Sequence, residues 1–223
     1  DTHISTSSIS PAPLSRKLSS RASDLPPLSL PTSHLSRICA FDPHTDHSTM
    51  TALKLFANAF VKYMSWIPSP TKENIALRAF GIGLVPVIGY VNPKIEHVDE
   101  NKCVVRIKHN RRTRNHVGSM YFATLAAGAD VCAGFLAMRE AFETGQPVIP
   151  LFKEFHGTFG RRAYGDVLFT CENGTEVRAA VREALQSGQR VNLPVSVVAR
   201  VESMDEPVGE FELVLSVKGV GKN

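Results

Sequence analysis

Cysteine is scarce in this sequence, and the few cysteines lie far apart. Cys39, Cys103, Cys132 and Cys171 form no CxxC pair. A disulfide framework or a structural zinc site needs closely spaced cysteines, so this spacing argues against both. Unpaired thiols indicate a reducing compartment, and we expect a cytoplasmic protein without a metal site. Cys132 stands in an apolar run and is interpreted as a small core residue rather than a nucleophile.

A strong net charge is also absent. The 223 residues include 25 Lys and Arg and 21 Asp and Glu, which gives +4 at pH 7. This mild balance permits an anionic ligand but does not indicate a nucleic-acid-binding protein. The two densest basic clusters lack the interleaved aromatic residues of a base-stacking surface, so no nucleic-acid partner is expected. They are Lys108 with Arg111, Arg112 and Arg114, and Lys153 with Arg161 and Arg162.

No long apolar run is free of charge. The most apolar stretch, SMYFATLAAGADVCAGFLAMREAF at 119–142, contains Asp130 near its middle. In a membrane span, a charge at this depth costs about 2.5–3.5 kcal/mol on insertion scales. The stretch therefore predicts a helix buried on nearly every face in a protein without a transmembrane segment.

The first 49 residues differ in composition from the rest of the chain. They are rich in Ser and Pro, contain scattered Arg, and show no lasting periodicity, which is typical of disorder. The segment resembles an organelle transit peptide, which would make the protein mitochondrial. Because Met50 is the first methionine, we favour an upstream extension of the reading frame, with the folded domain at 50–223. N-terminal sequencing of the native protein distinguishes the two interpretations.

Hydrophobic periodicity predicts helices and a hairpin in the first part of the domain. Residues 51–66 predict an amphipathic helix that packs on the domain or on a dimer partner, with a membrane-surface helix as the alternative. A second short helix is predicted at 72–81. The apolar stretch 81–93 is broken by Gly and Pro and is predicted to be a loop. KIEHV and KCVVRI, separated by a polar turn, predict a β-hairpin at 94–107.

The remaining sequence predicts four strands and one surface helix. The strands are VIPLFKEFHGTF, DVLFTCE, VNLPVSVVARVES and EFELVLSVKG, and the helix is 174–188, ended by Gly188. A helix that is apolar on most faces must be covered by the sheet that follows it. This order of elements therefore predicts an α+β hot dog fold, in which an antiparallel sheet wraps around a long central apolar helix.

The tract VVRIKHNRRTRNHVGSMYFATLAAGAD resembles the hot dog thioesterase superfamily and, within it, the DUF4442 group of thioesterase-like proteins. FKEF, GDVLFTC and the closing strands extend the resemblance to roughly residues 50–220. In relatives similar to the phenylacetate-pathway thioesterase, the motif runs Asn, two residues, Gly, two residues, His-Gly-Gly, then an acid further along the helix. Asn115, Gly118 and Asp130 match this motif, but Tyr121, Phe122 and Ala123 replace His-Gly-Gly.

The resemblance implies hydrolysis of acyl thioesters, acyl-CoA above all, by a homodimer or higher homo-oligomer without a cofactor. Asp130 and Asn115 would position a water molecule, and the Gly118–Tyr121 backbone, as the start of the long helix, would stabilise the oxyanion. The resemblance also implies a substrate-binding set: Arg111, Arg112 and Arg114 for the phosphates, and Ser119, Met120 and Tyr121 at the helix start. Because Asp130 is about three turns from this helix start, the acid and the oxyanion site would come from different subunits.

Structural alternatives remain open for these residues. Asp130 could hydrogen-bond a loop or a dimer partner, and Asn115 could stabilise a turn. Ser119 is predicted to be the N-cap of the long helix, and His116 to be a loop histidine. The loss of His-Gly-Gly keeps a second function open, a non-catalytic hot dog module that binds an acyl or other apolar ligand.

Overall fold

The computed structural model describes residues 66–219. The leader and all but the last residue of the helix predicted at 51–66 lie outside these residues. Along the described chain the elements are α1 (Thr71–Gly83), α2 (Pro86–Val91), β1 (Lys94–Val98), β2 (Cys103–Ile107), α3 (Phe122–Thr144), β3 (Val148–Phe159), β4 (Val167–Cys171), α4 (Gly174–Ser187), β5 (Arg190–Val201) and β6 (Gly209–Gly219).

The six strands form one antiparallel sheet in the order β1-β2-β4-β5-β6-β3, so β1 and β3 are its edges. α3 packs against β2 to β6, and α4 lies beside it against β5 and β6. Val105, Phe169 and Ala199 are directly paired across three neighbouring strands and are fully buried. The arrangement confirms the predicted α+β hot dog fold.

The prediction of a loop over 81–93 is wrong, because Pro86–Val91 forms the short helix α2. Pro86 stands in the first turn of α2, where a missing N–H costs no hydrogen bond. Gly81 and Gly89 then let α1 and α2 touch through their backbones: a Cβ on Gly81 would lie 2.7 Å from the Gly89 nitrogen. Both residue types that suggested a loop are therefore used to build a helical pair.

Of the two glycines in α3, Gly128 is the one that lies close against the sheet. A Cβ added there would lie 2.3 Å from Cζ of the buried Phe169, whereas a Cβ on Gly134 would lie 3.6 Å from Phe152, an ordinary contact. Gly128 therefore sets the distance between the central helix and the sheet.

We expect Gly128→Ala to lower the free energy of unfolding by about 1–3 kcal/mol, because the new methyl group overpacks the core against Phe169. The matched variant Gly134→Ala is expected to raise it by about 0.5–1 kcal/mol, since alanine favours the helix and has room. Urea denaturation of both variants measures these changes. Equal effects of the two substitutions would contradict the close approach at Gly128.

One stripe along α3 is not covered by the sheet. Most of the helix is buried, although it is long and apolar enough to cross a membrane by length and composition alone. The stripe consists of small residues and one acid at three- and four-residue spacing: Ala123 is exposed, and Ala126, Ala127, Asp130 and Gly134 are half-buried. The predicted burial of nearly every face of this helix therefore does not hold for this stripe. Asp130 lies on the stripe.

Candidate functional site

The basic loop 108–121, which joins β2 to α3, is held by internal hydrogen bonds. The fully buried Thr113 donates its hydroxyl to the Lys108 carbonyl at 2.7 Å and accepts the Asn110 N–H at 2.9 Å. The His109 ring contacts the Gly118 carbonyl through Nε2 at 2.8 Å. Tyr121 donates its N–H to the Thr113 carbonyl at 2.8 Å. These bonds fix the path of the loop into the central helix.

Asn115 is used within its own turn. Its Nδ2 donates to the Ser119 hydroxyl at 3.0 Å, and its Oδ1 accepts the Val117 N–H at 3.0 Å. Gly118 has φ +85°, a left-handed conformation that favours glycine and completes this turn. No hydrogen bond joins Asn115 to Asp130 within residues 66–219. The geometry thus gives Asn115 and Gly118 a shaping role in the loop.

The prediction that Ser119 caps the long helix is wrong. Ser119 is buried and accepts a hydrogen bond from Asn115, while α3 begins at Phe122 with Tyr121 as N-cap and no side-chain cap bond. The residues between are kept extended by long-range bonds, because the Met120 N–H donates to the Ala163 carbonyl at 2.8 Å. The predicted helix start at Gly118–Tyr121 is therefore three to four residues too early.

Two backbone N–H groups are free at the true start of α3. Thr124 and Leu125 donate to the Tyr121 carbonyl at 2.9 and 3.1 Å, but the N–H groups of Phe122 and Ala123 have no partner in the described chain. They point along the positive end of the helix dipole and can stabilise an anionic oxygen. Phe122 and Ala123 stand where the His-Gly-Gly motif has its two glycines. Their place in the motif is the sequence signal that could have identified these donors. A backbone donor survives the change of side chain.

Asp130 lies on the open stripe of α3, eight residues after Phe122. Burial raises the pKa of its carboxyl to about 6. Its side chain has no hydrogen-bond partner among residues 66–219. At ~1.5 Å per residue, it is roughly 12 Å along the helix from the free N–H groups, too far for both to act on one carbonyl in a single chain.

The raised pKa of Asp130 predicts a pH-dependent stability cost. The folded chain holds this proton more tightly than the unfolded chain, so the cost is absent below about pH 4 and complete above about pH 6. We therefore expect Asp130→Asn to raise the free energy of unfolding by about 1–3 kcal/mol at pH 7.5, with the gain shrinking towards pH 4. Urea denaturation at both pH values measures it. A gain that is the same at both would show that the carboxyl is not desolvated.

The three arginines of the basic loop, Arg111, Arg112 and Arg114, are exposed and form no ion pair with any described carboxylate. The Arg112 guanidinium lies 6.0 Å from the centre of the Tyr90 ring on α2. Arg161, from the second basic cluster, is instead paired with Glu206 at 2.6 Å. The loop can therefore bind an anionic group without breaking an existing salt bridge.

Cys132 lies in the core, as its sequence context predicted. Its Sγ lies 3.2 Å from the Cys103 carbonyl oxygen, and burial raises the pKa of the thiol. Such a thiol is not a nucleophile at neutral pH. Among residues 66–219, no three His, Cys, Asp or Glu side chains come together where they could hold a metal ion.

Residues 74–217 match DUF4442, a domain of unknown function. No curated protein matches the chain. A Pseudomonas aeruginosa protein of unknown function, described as a probable thioesterase, is 21% identical with a TM-score of 0.54, and the match covers 69% of this chain and 98% of that chain.

Two further solved structures are similar. A Shewanella oneidensis protein with a thioesterase description is 9% identical, with a TM-score of 0.58 and coverage of 66% of this chain and 99% of that chain. A Chlorobaculum tepidum protein of unknown function is 13% identical, with a TM-score of 0.57 and coverage of 67% and 96%. At these identities the likeness concerns the fold.

Proposed function

Since the chain belongs to the DUF4442 family and has the hot dog fold of thioesterase-superfamily proteins, we propose that it hydrolyses acyl thioesters, with acyl-CoA as the substrate class. One observation carries this proposal: α3 has both two free N–H groups at its start and a half-buried acid on its open face. Donors for an oxyanion and a base for water are the two requirements of the reaction.

The free N–H groups of Phe122 and Ala123 are suited to the carbonyl oxygen of the thioester. As water attacks the carbonyl carbon, that oxygen becomes negative, and preorganised donors at a helix start stabilise it. The oxygen is regenerated as a carbonyl when the carbon–sulfur bond breaks. The chain therefore contributes backbone N–H groups at this position. They are present although Phe122 and Ala123 replace the two glycines of the motif.

Asp130 is suited to act as the general base that activates the attacking water. Above pH 6 its carboxylate is ionised, and within the described residues no other group competes for its oxygens. It takes a proton as the water oxygen attacks the carbonyl carbon, and the proton then passes to the leaving thiolate. The products are the carboxylic acid and the thiol. Its pKa, close to neutral, matches a group that both accepts and returns a proton.

The distance between Asp130 and Phe122 calls for two copies of the chain, so we propose a homodimer with sites between subunits. The unpaired outer edge of β3 and the open stripe of α3 support this assembly. β3 carries exposed Leu151, Phe155 and Phe159. Two-fold pairing along such an edge buries the same surface on both copies and can set the acid of one chain against the helix start of the other.

The arginine loop is suited to the phosphates of CoA. Guanidinium groups bind phosphate through charge-assisted, often bidentate hydrogen bonds. Arg111, Arg112 and Arg114 lie on the loop that leads directly into the start of α3. An acyl-CoA bound there would have its phosphates on the loop while its thioester reaches the helix start.

The proposal is tested with the purified 223-residue chain and a panel of short-chain, medium-chain, long-chain and aryl acyl-CoA thioesters, with thiol release as the readout. We expect turnover of at least one class. The absence of turnover with every thioester would overturn the proposal.

A non-catalytic module that binds an apolar ligand is the second candidate. It is favoured by the exposed aromatic side chains at the start of α3. The ring centres of Tyr121 and Phe122 are 4.9 Å apart, and those of Phe122 and Phe159 are 6.3 Å apart, both in edge-to-face arrangements. The Phe122 ring provides apolar surface where the motif of the related thioesterases has glycine. Thermal stabilisation by a non-hydrolysable acyl-CoA analogue, without turnover of any thioester, would assign this role instead.

A further inference from the structure

The pair of helices α1 and α2, with the turn between them, exposes an unusual amount of apolar surface. This helical pair spans residues 71–91. Five of its large apolar side chains are exposed: Ile75, Ile82, Leu84, Val87 and Tyr90, with Ile82 at 74% and Val87 at 59%. Single exposed apolar residues are ordinary, but a group this dense marks an interaction site. Trp66, which directly precedes the pair, is 80% exposed.

The exposed residues share a side within each helix. Ile75 and Ile82 are seven residues apart on α1, and Val87 and Tyr90 are three apart on α2, so each pair lies on one side of its helix. Arg78 stands between the two isoleucines, three residues after Ile75, and is itself exposed. Arg78 and the two isoleucines therefore share one side of α1, and α2, whose backbone touches α1 at Gly81 and Gly89, adds its exposed side chains beside them.

Negative charge is missing from this surface. Residues 74–93 contain no Asp or Glu, and Glu73, just before them, is only 4% exposed. Arg78 makes no ion pair within the described residues. Arg112, beside Tyr90, adds a second unpaired cation from the basic loop. The sequence at 51–65 has the same character, with Lys54, Lys62 and no acidic residue.

We propose that the helical pair docks the protein on the surface of an anionic lipid membrane. Its aliphatic side chains enter the boundary between headgroups and acyl chains, and Arg78 binds lipid phosphate. Apolar residues on one side with Arg and Lys around them are the composition of interfacial helices, and Trp and Tyr favour the headgroup level. The docking adds a location to the enzyme and does not depend on hydrolysis.

Two other occupants of this surface are a second copy of the chain and the chain's own segment 51–65. The distribution of charge argues against both. A second copy would bring only further cations to this surface, its own Arg78 and Arg112, and like charges repel. The segment 51–65 is also basic, so it offers no carboxylate to these arginines. An anionic lipid surface complements both the apolar side chains and the cations. α1 also lies against β1, at the sheet edge opposite β3, so dimerisation along β3 leaves the helical pair open.

The test is flotation of the 223-residue chain with vesicles of phosphatidylcholine alone or of phosphatidylcholine with phosphatidylserine. We expect binding to the anionic vesicles that falls as salt is raised, because salt screens charges beyond a Debye length. Ile82→Asn with Val87→Asn should lower the partition coefficient about tenfold or more. Arg78→Gln should lower it about fivefold, the factor that one surface cation contributes near anionic lipid.

Lys153→Gln is the matched control, since Lys153 is an exposed cation on β3 at the opposite edge of the sheet. It should leave binding unchanged. All replaced residues are exposed, so the midpoint of thermal unfolding should not move, which shows that the variants are folded. No binding to anionic vesicles would overturn the proposal, as would binding that survives the double substitution. Self-association lost in the double variant, without vesicle binding, would assign the surface to a second copy.

Discussion

Asp130→Asn is expected to lower kcat for acyl-CoA hydrolysis by about 10²–10⁴-fold, the usual contribution of a general base. Asparagine has nearly the same shape but cannot accept the proton of the attacking water. The loss should appear in kcat with little change in KM, because the carboxylate acts on water and not on the CoA. Steady-state kinetics with the best substrate of the panel measure both constants.

Glu143→Gln is the matched control, because Glu143 is a second acid on α3 that is exposed and paired with Arg139. It should keep the activity of the unsubstituted chain. The unsubstituted enzyme should also gain activity as pH rises through about 6, where Asp130 loses its proton. Activity that Asp130→Asn leaves intact would remove Asp130 from the mechanism while leaving the fold assignment untouched.

Phe122→Pro is expected to lower kcat by about 10²–10³-fold, the cost of removing one oxyanion donor. Proline lacks the N–H group but is well accepted at the first helical position. Tyr121, the residue before it, already has φ −70° and ψ 137°. This extended conformation is the one that a residue before proline prefers. The substitution thus removes the N–H group, together with the aromatic ring, with little disturbance of the backbone.

Phe122→Ala separates the amide from the aromatic ring. It keeps the N–H group and removes the side chain, so kcat should fall much less than in Phe122→Pro, and KM should rise through lost apolar contact. Circular dichroism should show the same helix content in both variants. Equal kcat values for the two would mean that the Phe122 amide does not contact the substrate oxygen.

The strands and the two long helices were predictable from the sequence because their patterns are local. The sequence VIPLFKEFHGTF predicted β3 at 148–159, as the structure has it, and alternation predicted β5 and β6 within two residues of their observed ends. Gly188, with φ +67°, ends α4 where a helix-terminating glycine was expected. In each case the residues that decide the element lie within it.

The failures have a common cause in contacts between distant residues. The start of α3 was misplaced because Met120 is held extended by the Ala163 carbonyl, some forty positions away. α2 was missed because its stability depends on a backbone contact between Gly81 and Gly89. Local propensity describes neither contact. Asp130 was found from its place in the family motif, but its open face on α3 could be seen only in the folded chain.

The long edge strand β3 also carries features that oppose uncontrolled association. A free strand of twelve residues is a template for uncontrolled pairing with other chains. Pro150, Lys153 and a bulge between Phe152 and Glu154 interrupt that template. A proline lacks one donor, a lysine resists burial, and a bulge twists the edge away from a flat partner. This edge therefore accepts a partner in few registers, which protects a single chain against amyloid-like stacking.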